Sequence, residues 1–205
     1  MKKIATLIMG LAAVLALTAC GGKGTKVSEE KFKEKAGQIE EHEYSSATVK
    51  YEYSEVIHAE DSKEEDKKDE GKGEIKFEKK DGKWTTDSKD GFAEEAKMYI
   101  EGNLKDMVTA GIDASITGEF VGVETNCTYY TDPFGIEYTM KGEVEIIVKM
   151  EIDEKGYMGF DKYGYLTKYE SSGTDVSTLD QEILGVKISS KTTTTSKTTI
   201  SISYK

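Results

Sequence analysis

The strongest constraint on this chain is a period-two alternation of apolar and polar residues that returns along most of its length. Val49, Tyr51 and Tyr53 interleave with Lys50, Glu52 and Ser54, and Ile75 and Phe77 sit between Glu74, Lys76 and Glu78. Ile136, Tyr138 and Met140 repeat the rule, and Val144, Ile146, Val148, Met150 and Ile152 carry it over nine residues. Ile200, Ile202 and Tyr204 close the series. Such spacing puts one face on a core and the other in water, the habit of antiparallel sheets. Composition agrees. After Cys20 there are 14 Ile, 10 Val and 19 Thr against 4 Leu and 7 Ala, and β-branched chains suit a pleated surface better than a helix.

Turn chemistry divides the strands. Lys80-Asp81-Gly82-Lys83 reads as a two-residue type I′ hairpin, and Asp132-Pro133-Phe134-Gly135 as a type I turn. Asp153-Glu154-Lys155-Gly156 and Asp161-Lys162-Tyr163-Gly164 read as hairpin loops closing on a left-handed glycine. Two segments have helical spacing instead. Ser28 caps a helix with Glu29 and Glu30 in its first turn and Phe32, Ala36 and Ile39 on one stripe, with His42 late in it. A longer helix is expected over 90–110, where Phe92, Ala96, Tyr99, Ile100, Leu104, Met107 and Val108 share a face before Gly111. Segments 60–70 and 171–184 read as loose, exposed connections, and 187–197 as a two-sided polar edge strand. The expected fold is α+β, a curled antiparallel sheet of about seven to nine strands with two helices on its concave face.

The first twenty residues have a different logic. Lys2 and Lys3 precede a 14-residue apolar run, Ile4 to Leu17, short of the roughly 20 residues a membrane span needs. It ends in Leu17-Thr18-Ala19-Cys20, followed by Gly21-Gly22. This resembles the bacterial lipoprotein signal, which implies diacylglycerol transfer to the Cys20 sulfur and cleavage before it. Residues 1–19 are then the signal peptide, 20–27 a flexible tether and 28–205 a single domain. Two or three acyl chains anchor stably where one does not. The implied location is the extracytoplasmic side of a membrane, held there through lipidated Cys20.

One N-terminal helix, a long meander with a helical insertion, a lipobox and a domain of this size together resemble the LolA/LppX-type lipoprotein carriers. That resemblance implies an open half-barrel whose concave face is plugged by helices and which holds acyl chains between sheet and helices. It rests on element order and size, and no ligand residue is carried over by it.

Other chemistries are poorly supplied. All 28 basic residues are lysine, the net charge is −11 and the pI is near 4.9, so the chain lacks the forked guanidinium and basic face that nucleic acid and phosphate favour. Gly21-Gly22-Lys23-Gly24-Thr25 lacks P-loop spacing, and 60–66 fails the EF-hand register. No Gly-x-Ser-x-Gly, His-Glu-x-x-His or Cys-x-x-Cys occurs. His42 lies among Glu40, Glu41 and Glu43, a solvated acidic end, and His58 reads as a surface histidine within reach of Glu60. With Cys20 lipidated, Cys127 has no disulfide partner and reads as a strand cysteine. No catalytic residue, metal or cofactor is assigned.

The aromatic content points elsewhere. All 19 Phe, Trp and Tyr follow Cys20, and 12 of them are tyrosine, enough to line a wide interior. Candidate ligand-lining residues are Tyr51, Tyr53, Phe77, Tyr138, Ile146 and Val148 on the sheet, with Tyr99 and Leu104 on the long helix. The expectation is a non-catalytic lipoprotein that binds or carries an apolar ligand such as a lipid. The alternative is a surface interaction protein with a solid core that contacts a protein or cell-wall partner. A cavity of several hundred Å³ favours the first, a filled core with an open sheet edge favours the second, and a buried Asp/Glu pair in a cleft would favour an enzyme.

Overall fold

A computed structural model describes residues 23–60, 65–117, 122–145, 148–183 and 186–205. The leader, Cys20 and Ile146 lie outside them. Among the described residues nine strands form one open antiparallel sheet: β1 Thr25–Val27, β2 Ser46–Ala59, β3 Lys67–Lys80, β4 Lys83–Thr85, β5 Val123–Thr131, β6 Gly135–Glu145, β7 Lys149–Phe160, β8 Leu166–Ile183 and β9 Val186–Tyr204. Four helices accompany them: α1 Glu29–Gly37, α2 Ala93–Glu101, α3 Leu104–Ala110 and α4 Ile112–Thr117. The spatial order is β1-β5-β6-β7-β8-β9-β2-β3-β4. Two meanders, β2–β4 and β5–β9, are joined where the C-terminal strand inserts beside β2. The class is α+β, as the alternation implies.

Direct cross-strand partners share a face, so the register reads as rows across the sheet. One row runs Tyr129, Ile136, Met158, Tyr169, Ile200, Tyr51, Gly73 from β5 to β3. Val49, Ile75, Ile202, Ala47 and Phe77 extend the same face toward one end of the strands, and all five are buried. Phe32 and Ala36 of α1, Ala96 and Ile100 of α2 and Leu104 of α3 join these side chains in a single buried cluster. Ser28 caps α1 as expected, its Oγ accepting from the Lys31 N–H at 3.4 Å.

A recurring device shapes this face. Tyr51 and Tyr53 lie directly across from Gly73 and Gly71, and Tyr138 across from Gly156. A Cβ on Gly71 would stand 2.5 Å from the Tyr53 ring, and one on Gly73 2.8 Å from the Tyr51 ring. Each tyrosine thus lies flat over a neighbouring strand whose glycine leaves room for it, which covers the glycine's bare backbone. Gly156 is therefore a mid-strand residue of β7 and closes no hairpin, which corrects the loop expected at 153–156.

Other expectations fare unevenly. Asp81 (φ 50) and Gly82 (φ 77) build the I′ hairpin between β3 and β4, and Gly164 (φ 81) closes the β7–β8 turn. The Asp132-Pro133 turn is not type I: its peptide bond is cis and Asp132 has φ 61. The run 144–152 is two strands, since Glu145 pairs with Lys149 and Val144 with Met150; the alternation keeps its phase through the reversal. The long helix is interrupted at Gly102-Asn103. Asn103 is extended, bridges to Tyr165 and caps α3 by accepting from the Lys105 N–H at 2.9 Å.

Segment 171–184 falls largely within β8, and 187–197 within β9, which lies in the sheet interior between β8 and β2. Both hold as strands because each has a ladder on either side, which satisfies the backbone without an apolar pattern. Thr25–Val27, placed in the tether by sequence, pairs with Tyr129–Thr131 as β1, reinforced by Lys23 on Glu137 at 2.6 Å.

Candidate functional site

The rows that follow the core row change chemistry. Next comes Cys127, Tyr138, Gly156, Ser171, Thr198, Tyr53, Gly71, and then Thr125, Met140, Glu154, Gly173, Ser196, Glu55, Asp69. Where these rows cross β9, β2 and β3, the residues leading into α2 rise over them and enclose a cleft of about 420 Å³. Tyr51, Tyr53, Asp90 and Phe92 build its wall, with Ser54, Glu55, Asp69, Glu95, Ser196 and Thr198 around it. Among the described residues four carboxylates line it and no lysine does.

The wall is ordered by its own bonds. Phe92 stacks on Tyr51 with centroids 4.2 Å apart and lies 5.9 Å from Tyr53, all three rings within 24° of parallel. The Tyr51 hydroxyl donates to Asp90 Oδ2 at 2.6 Å, while Asp90 Oδ1 accepts from the Phe92 N–H at 3.0 Å. The two donors hold the Asp90 carboxyl below the usual carboxylate range; the bond to Asp90, with some burial, pushes the Tyr51 phenol up to about 12. The Tyr53 hydroxyl reaches Asp69 Oδ1 at 3.5 Å. Three near-parallel rings and four carboxylates thus share one open lining.

Deeper in the same face lies a second network. Tyr138 is 3% exposed and donates to Glu154 Oε1 at 2.8 Å; its hydroxyl is 3.3 Å from that of Tyr169, whose ring packs 5.1 Å from Tyr99. Burial raises the Glu154 carboxyl above its ordinary range against the pull of the Tyr138 hydrogen bond, and the neighbouring Asp175 adds to the rise. Burial raises Asp175 as well, and its Oδ1 is a buried oxygen without a hydrogen-bond partner. Neither carboxylate lines the cleft.

Of the eight candidate lining residues Ile146 lies outside the described residues, and the other seven divide accordingly. Tyr51 and Tyr53 meet in the cleft. Tyr138 and Tyr99 meet through Tyr169. Phe77 and Leu104 are core, 1% and 0% exposed, and Val148 is half-buried in the β6–β7 turn. Asp90, Phe92, Glu55, Asp69, Ser196 and Thr198 belong to the site and were not singled out from sequence. For Phe92 and Asp90 the available signal was their place at the start of a helical stripe.

The remaining candidates are placed plainly. His42 is beyond the end of α1, stacked 4.0 Å above Tyr163. It borders a second cleft of about 440 Å³ in which Lys79 and Lys105 interleave with acids; the Tyr163 ring that lines this cleft also has Lys162 Nζ 4.6 Å from its centroid. His58 pairs with Asp66 at 2.7 Å, while Glu60 is held by Lys191 at 2.6 Å. Cys127 is a half-buried free thiol in β5, pushed up to about 11 by burial, 3.8 Å from Asp113. Among the described residues no three His, Cys, Asp or Glu side chains are grouped to hold a metal ion, and no helix is long and apolar enough to cross a membrane. No family model, curated protein or solved structure matches this chain.

Proposed function

We propose that this chain is a lipid-anchored extracytoplasmic protein that binds an amphiphilic ligand without turning it over. The observation that carries the ligand is the cleft whose described lining holds no lysine and sets the stacked rings of Tyr51, Phe92 and Tyr53 beside Glu55, Asp69, Asp90 and Glu95. An apolar portion lies against the rings, and a cationic or hydroxyl-bearing head meets the carboxylates. A phosphate head is disfavoured because every charge on the lining is negative. The half-barrel arrangement, with helices seated in the concavity, belongs to the same proposal; the buried cluster shared by α1, α2, α3 and one sheet face supports it. The anchor is Cys20, which the leader marks for acylation. Non-catalysis rests on the cleft chemistry: among the described residues the lining sets no histidine or lysine beside Ser54, Ser196 and Thr198 to activate their hydroxyls, and the Glu154–Asp175 pair lies outside it.

The test uses the full chain in phosphatidylcholine nanodiscs, with empty nanodiscs as the reference. Titration calorimetry with benzyltrimethylammonium is expected to give a saturable signal that Tyr53→Ala abolishes, and phenylacetate is expected to give none. Equal binding of both probes, or of neither, would sink the reading. Native mass spectrometry of the extracted chain should also show a co-purifying mass of several hundred daltons.

A second reading has its own observation. The buried cluster is continuous from α1 to β9, so a solid-cored interaction protein is compatible with the same fold.

A further inference from the structure

The sheet is open, and its β3 side is almost bare. Beyond β2, the described residues give β3 only one other strand neighbour, β4, which covers Glu78 to Lys80. Thr86 takes the Lys76 carbonyl at 2.7 Å. From Lys67 to Ile75 no strand among the described residues pairs with the outer edge, which leaves it as a template for another strand. We propose that this edge pairs with the same edge of a second copy, antiparallel about a two-fold axis at Gly71.

The sequence of the edge selects that register. An axis perpendicular to the sheet keeps the helix-bearing faces on one side, so residues that meet must share parity. On the solvent face stand Lys68, Glu70, Lys72 and Glu74, in strict alternation. Centring the pair on Glu70 sets Glu70 against itself and Lys68 against Lys72. Centring on Lys72 sets lysine against lysine and Glu70 against Glu74. Centring on Asp69 makes that carboxylate meet its own copy, and centring on Gly73 drives the partner strand into the segment held by Thr86 and β4. Centring on Gly71 leaves Lys68 opposite Glu74 and Glu70 opposite Lys72, each occurring twice, with Gly71 facing Gly71 on the other side.

Lysine on an edge commonly serves to repel other strands. Here the alternating signs repel wrong registers and reward one, which gives a closed pair rather than a growing stack. The edge lies on the opposite side of the sheet from β1. Tyr53, lying over Gly71, and Asp69 would bring the two clefts to either side of the axis. The pairing does not depend on what the cleft binds.

Sedimentation equilibrium of the full chain in a density-matched detergent, with micelles in excess, tests this. The wild type is expected at twice the chain mass. Glu70→Lys, which sets the introduced lysine against Lys72 twice, should weaken association about tenfold. Lys72→Glu added to Glu70→Lys restores opposite signs and should restore the dimer. A single-chain mass at every concentration would overturn the proposal, as would a dimer indifferent to Glu70→Lys. So would a double variant that melts like wild type yet stays dissociated. The exchange of Lys68 with Glu74 (K68E/E74K) should likewise leave the dimer intact while Lys68→Glu alone weakens it, which covers the case of a poorly folding Glu70 variant.

Discussion

Two rows of the same sheet face, crossing the same strands, have opposite fates. The row of Tyr129, Ile136, Met158, Tyr169, Ile200 and Tyr51 belongs to one cluster with buried side chains of α1, α2 and α3, and Ile136 and Ile200 are fully buried. Two rows further along stand Thr125, Met140, Glu154, Gly173, Ser196 and Glu55, which carry carboxylates and hydroxyls where the first row carries rings and branched chains. The backbone ladder is the same in both. The difference teaches that ladder hydrogen bonds set the strands, apolar rows hold the fold, and the polar rows are left to line the cleft through Ser196, Glu55 and Asp69.

The comparison breaks most visibly in the core. Phe32→Ala should cost about 3–5 kcal/mol, because the ring is fully buried between α1 and the Tyr129–Phe134 corner. Thr194→Ala, in a polar row of β9, should change stability by less than about 0.5 kcal/mol. Urea unfolding of the two variants measures both, and comparable losses would deny any division of labour between rows.

A smaller effect tests the boundary between the rows. Gly156→Ala puts a methyl group where the Tyr138 ring lies, so the ring must lift and release Glu154. The expected loss is about 1–3 kcal/mol. A substitution that costs nothing would mean that the tyrosine can leave the glycine freely. Tyr51→Phe removes the hydroxyl bond to Asp90 and should cost about 1 kcal/mol while loosening the turn that presents Phe92. Binding of benzyltrimethylammonium should weaken in proportion.

How much of this could be read in the sequence follows from the same contrast. Segments with one apolar face declared themselves: Val49-x-Tyr51-x-Tyr53, Ile136-x-Tyr138-x-Met140 and Ile200-x-Ile202 all pair as alternation requires. β8 and the first half of β9 did not, because Ser, Thr and Gly on both faces leave no period to detect. Tyr51 and Tyr53 were legible as inward rings. Glu55, Asp69, Ser196 and Thr198 were not, since they meet only because β9 inserts beside β2, a pairing between distant parts of the chain. One signal was available and unused. The spacing Gly71-x-Gly73 mirrors Tyr51-x-Tyr53, and glycines at that interval in a charged strand announce rings lying across them.

The smallest effect separates the rows by charge. Glu154 and Asp175 have folded-state carboxyls raised by burial, so their protonated forms are favoured in the fold. Stability from this source is complete at acid pH and is lost as pH climbs through the unfolded value, about 4.3 for Glu, toward the raised folded one. Asp90, Asp132 and Glu137 are lowered and act in the opposite sense, but they are common to wild type and variant and cancel in the difference. Glu154→Gln keeps an oxygen to accept from Tyr138 and removes the titration. Its melting temperature should match wild type at acid pH and exceed it by a margin that grows toward neutrality. A constant margin would mean that shape, and not buried charge, distinguishes the residue. Because Asp175 raises Glu154 through repulsion, Asp175→Asn should gain less in the Glu154→Gln background than alone, as expected for two carboxylates that share one strip of sheet and one source of strain.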